Sequence, residues 1–358
     1  MKRKLATIQV IADIQPIENA DNIEVVKIKD WLCVSKKSTF KKGDKCVYFE
    51  IDSLMPSDNE DFKFLATGTK EREMAIEGKI YKGYRLKTKK LRGQISQGLA
   101  LPTYILEGLK FSTDTREEPK YTFKEGFDVS ELLNIVKYEP SLPACLSGKV
   151  KGLFPSFIPK TDEERIQNCG DILERHQNTS FIVTEKLDGS SATYYKRNGE
   201  FGVCSRNLEL LESEGNAFWK IAKRYDLENI LPEGYAIQGE VIGEGIQSNP
   251  LQLQGIDLYV YNVFNISECK YLSCEEFEKF IVSLGLKTVP ILDKDFKLPQ
   301  AVDELLKYAE GNSVIVPLRK REGIVIRPVK EMLETINRVL TRFSFKVISN
   351  KYLLTEKE

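Results

Sequence analysis

Residues 181–195 read FIVTEKLDGSSATYY, and the reading of Lys186 within them decides the fold. Phe181 to Val183 make an apolar run of strand character, and Thr193 to Tyr195 begin another. A lysine leaving one strand and facing the next lies close to a core, where lysine is almost never buried without a partner. Asp188-Gly189 admits an ordinary hairpin turn, with Lys186 as its flanking charge. It equally admits a lysine held partly out of water as a nucleophile, its neutral amine accessible near pH 7. The stretch alone leaves both open.

The composition narrows the choice. A chain of 358 residues, 41% of them hydrophobic, has material for about two domains with ordinary cores. Lys and Arg total 53, as do Asp and Glu, so only local clusters can speak for a polyanionic partner. Cys33, Cys46, Cys145, Cys169, Cys204, Cys269 and Cys274 are scattered, with no C-x-x-C pair. That favours a reducing compartment over a disulfide framework or a thiolate zinc site. There is no signal-peptide pattern and no apolar run of membrane-spanning length, so a soluble cytoplasmic protein is expected. His176 is the sole histidine, in ILERHQNTS, and reads as a polar helix end. A single histidine excludes HExxH zinc sites and two-histidine metal centres, and leaves a Ser-His-Asp triad no candidate but His176 itself. Chemistry here must run on Lys, Arg, carboxylates and a hard metal ion.

Residues 1–137 read as mostly β. LATIQVIADIQPI, IEVVKI, WLCVS, DKCVYFEI and YRLKT are short runs rich in β-branched and aromatic residues, separated by turn signals. Strands of this kind suggest a small barrel or sandwich, with an oligonucleotide-binding (OB) barrel the leading candidate. KIYKGYRLKTKKLRGQ carries Lys79, Lys82, Arg85, Lys87, Lys89, Lys90 and Arg92 without an acid, interleaved with Tyr81 and Tyr84. Cations to follow phosphates and rings to stack bases suit an RNA groove. A solvated strand edge guarded by lysines has the same composition. Residues 138–160, with four prolines, read as a linker leading into an ATP-binding segment. Residues 161–358 alternate strands, such as YAIQGEVIG, DLYVYNVFNI, GIVIRPV and SFKVI, with helical segments, among them SCEEFEKFIVSLGL and its Ser273-Glu276 capping box.

Several ionisable residues interrupt those apolar strands: Glu240, Glu322, Lys346 and, in CSRN, Arg206. Mixed charges beside apolar neighbours point to strand faces lining one polar cleft. Asp188, Glu240 and Glu322 could hold a hard divalent cation through oxygen or its waters. Lys346 and Lys351, with desolvation, would lower the Lys186 pKa.

These residues carry a resemblance. Lys186-Leu187-Asp188-Gly189 resembles the K-x-D-G motif of covalent nucleotidyltransferases. Ser205-Arg206-Asn207, Glu240, the YNV of 261–263, Glu322-Gly323 and Lys346 follow in the order of that superfamily's motifs. FIVTEKLDGSS is similar to nick-sealing RNA ligases, and FPSFIPKTDEERIQN at 154–168 to the ATP-contacting segment of Naegleria-type RNA ligases. The resemblance implies an α+β fold: an N-terminal OB barrel, then an ATP-grasp-like domain of twisted antiparallel sheets with flanking helices. It implies sealing of 3′-OH/5′-phosphate nicks in duplex RNA by a monomer, with ATP and Mg²⁺ or Mn²⁺, in RNA repair.

The roles it implies are specific. Lys186 attacks the α-phosphate of ATP. Glu185 frames the adenine and Tyr261 stacks on it, with Phe264 the alternative if the strand phase differs. Asp188, Glu240 and Glu322 orient metal waters, and Lys346 contacts the α-phosphate. Arg165 and Lys160 take the terminal phosphates, and Arg206 grips the RNA 5′-phosphate. Lys87, Lys89, Lys90 and Arg92 track RNA. Two features depart from the family pattern. Phage relatives carry K-x-H-G and a tight lysine pair in the last motif, whereas FKVISNKYLL places Lys351 too far from Lys346 for a clean pair. The chain also lacks room after that motif for the OB domain of DNA ligases and capping enzymes. A DNA or broad polynucleotide ligase and a non-catalytic RNA-binding relic are the alternatives.

Overall fold

The computed structural model describes residues 3–76, 78–107, 123–139, 145–337 and 339–355. The chain divides into two compact units, Met1–Ser141 and Leu142–Glu358.

In the first unit, Ala6–Val10, Lys45–Phe49 and Leu99–Pro102 form an antiparallel sheet with Lys45–Phe49 central. Asp13–Pro16, Ile23–Ile28 and Trp31–Lys36 form a three-stranded meander. Val136–Lys137, Ser53–Pro56, Lys79–Arg85 and Glu71–Ile76 make a third sheet. One core gathers Ile8, Val47, Phe49 and Phe62, and another gathers Ile28, Trp31 and Tyr48.

The basic stretch differs from its reading in two respects. Tyr84 is buried in the core with Phe49 and Phe62, so it offers no stacking face. Acids absent from the stretch arrive across the hairpin: Glu73 lies opposite Lys82 and pairs with it at 3.0 Å. Arg85 pairs with Asp52 at 2.6 Å, and Lys89 Nζ donates to the Gly68 carbonyl at 2.7 Å. Lys87 is half-buried. Lys90 and Arg92 are exposed, and Tyr81 is half-buried beneath the Lys79 ammonium.

The second unit is built on two sheets. An eight-stranded sheet runs Val150–Leu153, Leu208–Leu210, Glu200–Cys204, Ser190–Arg197, Tyr235–Gly243, Ile256–Asn265 and Lys270–Tyr271, with Lys287–Thr288 joined to Ile256–Asn265. Val150–Leu153 thus turns part of the expected linker into an edge strand. A five-stranded sheet runs Glu164–Arg165, Phe345–Ile348, Gly323–Pro328, Phe181–Lys186 and Ile291–Phe296. The expected α+β balance gives way to a mostly β unit. Its helical-period segments are real but short, Cys274–Ser283 and Ala217–Arg224 among them, and the capping box of Ser273 and Glu276 forms. No helix among the described residues is long and apolar enough to cross a membrane.

Candidate active site

Strand alternation sets the site. Phe181 and Val183 bury in a core with Ile324, Ile326 and Phe345. The two-residue period therefore turns Ile182, Thr184 and Lys186 to the opposite face. Lys186 ends its strand opposite Gly323, and Gly323 lies opposite Ile348 on the next strand. A Cβ on Gly323 would stand 2.2 Å from the Val347 carbonyl oxygen, so only glycine lets these strands close. Glu322, the residue before it, is thereby delivered to the lysine. Lys186 Nζ donates to Glu322 Oε2 at 2.7 Å. One pair further along, Thr184 faces Val325 and Val325 faces Lys346, which puts Lys346 on the lysine's side of the sheet. Arg165, buried, runs parallel beside Lys346.

The other sheet supplies the opposite wall. Ser191 lies across from Glu240, and Glu240 across from Tyr259. Tyr261, two residues on, shares that face, and its hydroxyl lies 3.0 Å from Ser191 Oγ and 3.2 Å from Thr161 Oγ1. Gly189 joins the walls. A Cβ there would stand 2.4 Å from the Val241 carbonyl oxygen and 3.0 Å from Glu240 Cγ. Its φ lies outside the left-handed region. The glycine of the motif thus serves close backbone approach, not the turn chemistry that an Asp-Gly pair suggests. Asp188 Oδ2 accepts a hydrogen bond from the Tyr352 hydroxyl at 2.5 Å.

The charges are coupled. Burial pushes the Glu240 carboxyl up to about 8, with Lys186 opposing and Glu322 and Asp188 reinforcing the rise. Burial raises Glu322 as well, against the pull of Lys186. Burial by itself would lower the Lys186 pKa, yet Glu322, Glu240 and Asp188 together outweigh it and hold the lysine above its ordinary range. This reverses the expected depression by Lys346 and Lys351. With these carboxylates beside it, Lys186 is an ammonium.

The match to known proteins follows the same architecture. A family model described as RNA ligase matches residues 179–348, and one described as an OB-fold domain matches residues 5–103. No curated protein sequence matches the chain. A Naegleria gruberi RNA ligase with a lysine-to-methionine replacement, solved with AMP and Mn, is 39% identical over 99% of each chain, with a TM-score of 0.85. Its lysine-to-alanine counterpart with ATP and Mn is 39% identical over 99% of each chain, at a TM-score of 0.84. Naegleria gruberi RNA ligase with PPi is 40% identical over 98% of each chain, also at 0.84. The chain belongs to the RNA ligase family.

The ligase holds its other sequence-predicted residues at varying reach. Arg206 is exposed and paired with Asp162, close enough to Glu240 to temper the rise in its pKa. Lys160 Nζ donates to Asn207 Oδ1 at 3.0 Å, beside the Arg206 segment. Lys351 is exposed and pairs with Glu310 at 2.7 Å, so it is not gathered to Lys186 as Lys346 is. The Glu185 carboxylate accepts from the Val314 amide at 2.8 Å, anchoring the loop that begins at Ser313. Phe264 packs in a separate core with Ile158 and Tyr195, so of the two rings only Tyr261 lies on the Glu240 face. Thr161, Ser191 and Tyr352 were not anticipated. Tyr352 stands six residues after Lys346 in FKVISNKYLL, and its position in that segment is the only signal it gives.

Proposed function

We propose that this RNA ligase seals 3′-OH/5′-phosphate nicks in duplex RNA with ATP, through lysyl-AMP and RNA-adenylate. One observation carries the reading. Lys186 ends a strand paired to Glu322 at 2.7 Å, with Lys346 on the same face and Glu240 on the facing sheet.

Lys186 Nζ attacks the α-phosphorus of ATP; the N–P bond forms as the bond to pyrophosphate breaks. The lysine must first give up its proton, and Glu322, already its hydrogen-bond partner, is placed to take it. Lys346 neutralises charge on the α-phosphate, while Arg165 and Lys160 draw the terminal phosphates into line. Tyr261 stacks on the adenine, and Glu185 frames it through the loop it anchors. Arg206 exchanges Asp162 for the 5′-phosphate of the RNA. Lys351 would have to leave Glu310 to reach a phosphate. Among the described residues no three ligand-type side chains stand close enough to grip one ion directly. Asp188, Glu240 and Glu322, the carboxylates that act on Lys186, suit Mg²⁺ or Mn²⁺ held through its waters. Such an ion, when bound, would add positive charge beside Lys186 and so favour its neutral amine. Lys90 and Arg92, with Lys87 and Lys89 beside them, follow phosphates without reading bases. The two facing sheets fit an ATP-grasp-like layout. A cytoplasmic monomer acting in RNA repair completes the reading.

The test uses ATP labelled at the α-phosphate. Lys186→Ala should yield no labelled protein on a denaturing gel, yet still seal, at least in part, a nick already adenylylated on its 5′-phosphate. A labelled mutant would refute the assignment. Exchanging RNA for DNA strand by strand should cost most on the 3′-OH side, which supplies the attacking oxygen.

A further inference from the structure

The segment after Ile348 returns to the reactive lysine by a defined route. Ile348 lies opposite Gly323, and Gly323 opposite Lys186. The next amide, of Ser349, donates to the Glu322 carbonyl at 2.9 Å. Ser349 Oγ then accepts from the Tyr352 amide at 3.2 Å and starts the short helix Asn350–Leu353. One turn past the end of the strand, the Tyr352 hydroxyl meets Asp188 Oδ2 at 2.5 Å, from 164 positions away in sequence.

We propose that Tyr352 is a positioning residue for Asp188. It fixes Oδ2, so the carboxylate keeps one orientation and offers Oδ1 to a water of the divalent ion. The terminal torsion of an aspartate is broad, and a phenol donating to one oxygen narrows it. Partners of this kind, one step removed from the ion, set how well a ligand is presented. The short helix has a separate anchor, the Ser349 amide on the Glu322 carbonyl, so the phenol is not its only tie. The inference rests on the proposed role of Asp188 toward the metal.

The measurement is Mn²⁺ affinity of the full chain with AMP present, read from the electron paramagnetic resonance signal of free Mn²⁺, alongside the melting temperature. Tyr352→Phe keeps the ring and should weaken Mn²⁺ binding about tenfold, with the melting temperature unchanged. In an Asp188→Ala background the same change should have no further effect on affinity. Wild-type affinity in Tyr352→Phe overturns the proposal, and so does a loss that persists without Asp188. A lowered melting temperature at unchanged affinity makes the phenol a structural tie and also overturns it. If Asp188→Ala itself binds Mn²⁺ like the wild type, the metal role of Asp188 is what fails. Labelling of Lys186 is scored separately and would stand in that case.

Discussion

Gly189→Ala is the sharpest probe of the claim that close approach, not turn geometry, explains the motif's glycine. The added methyl would lie 2.4 Å from the Val241 carbonyl oxygen, 2.6 Å from Ile242 Cγ2 and 3.0 Å from Glu240 Cγ. The first of these neighbours is backbone, which cannot swing aside. The turn must therefore lift from the strand Tyr235–Gly243, and overpacking of this sort costs about 1–3 kcal/mol. In a unit of this size each kcal/mol is worth roughly 2–4 °C of melting temperature. The lift also separates Asp188 and Lys186 from Glu240, and misplacement approaching 1 Å costs on the order of a hundredfold in rate. Gly215→Ala is the control, because its methyl meets nothing within 4 Å and its φ is ordinary. Melting curves and the rate of lysine adenylylation, measured for both variants, decide the matter. If Gly189→Ala melts and reacts like Gly215→Ala, the approach argument is wrong.

Three further outcomes are expected. Glu240, pushed up to about 8 from 4.5, binds its proton more tightly folded than unfolded. The stability it contributes is full below 4.5 and lost as pH rises through about 8. Glu240→Gln should therefore flatten the decline in melting temperature across that window in the ligand-free enzyme, and parallel curves would contradict this. Tyr84→Ala should lower the melting temperature of the first unit, whereas Tyr81→Ala should spare it and weaken RNA binding; a common phenotype would undo the distinction between core and surface ring. Replacing Lys90 and Arg92 with Ala should reduce the slope of log affinity for nicked RNA against log salt by about one for each phosphate left without its cation. An unchanged slope would remove them from the RNA path.

Glu240 and Lys346 were legible because each breaks an apolar strand, and several such charges of mixed sign point to one polar cleft. Lys186, Asp188 and Glu322, at or just beyond strand ends, were legible from their Asp-Gly and Glu-Gly motifs. The strands themselves were legible from their apolar runs. Protonation was not. The carboxylate that pairs with Lys186 lies 136 positions away, and no local count of charge reveals which sign will stand nearest. The basic stretch misled in a related way, since Glu73 comes from the neighbouring strand and Asp52 from the turn before Ser53–Pro56. Tyr84 was misread because a ring among lysines looks solvent-facing until its strand's phase is known. Tyr352 follows a strand in a four-residue helix, too short to carry any periodic signal.

The pairing of Lys186 with Gly323, and of Gly323 with Ile348, has a bearing on how the protein is made. Translation at about 5–20 residues per second leaves roughly 10–30 s between the emergence of the lysine and that of its last partner strand. In that interval Phe181–Lys186 can be covered along one edge by Ile291–Phe296, the partner that arrives first. Glu322 and Lys346 are still to come, so the half-made chain has a lysine with neither its proton acceptor nor its phosphate-binding neighbour. Pairings this distant in sequence also close slowly. An interrupted chain would thus be unable to charge itself with AMP, and self-adenylylation would report that synthesis has passed Lys346.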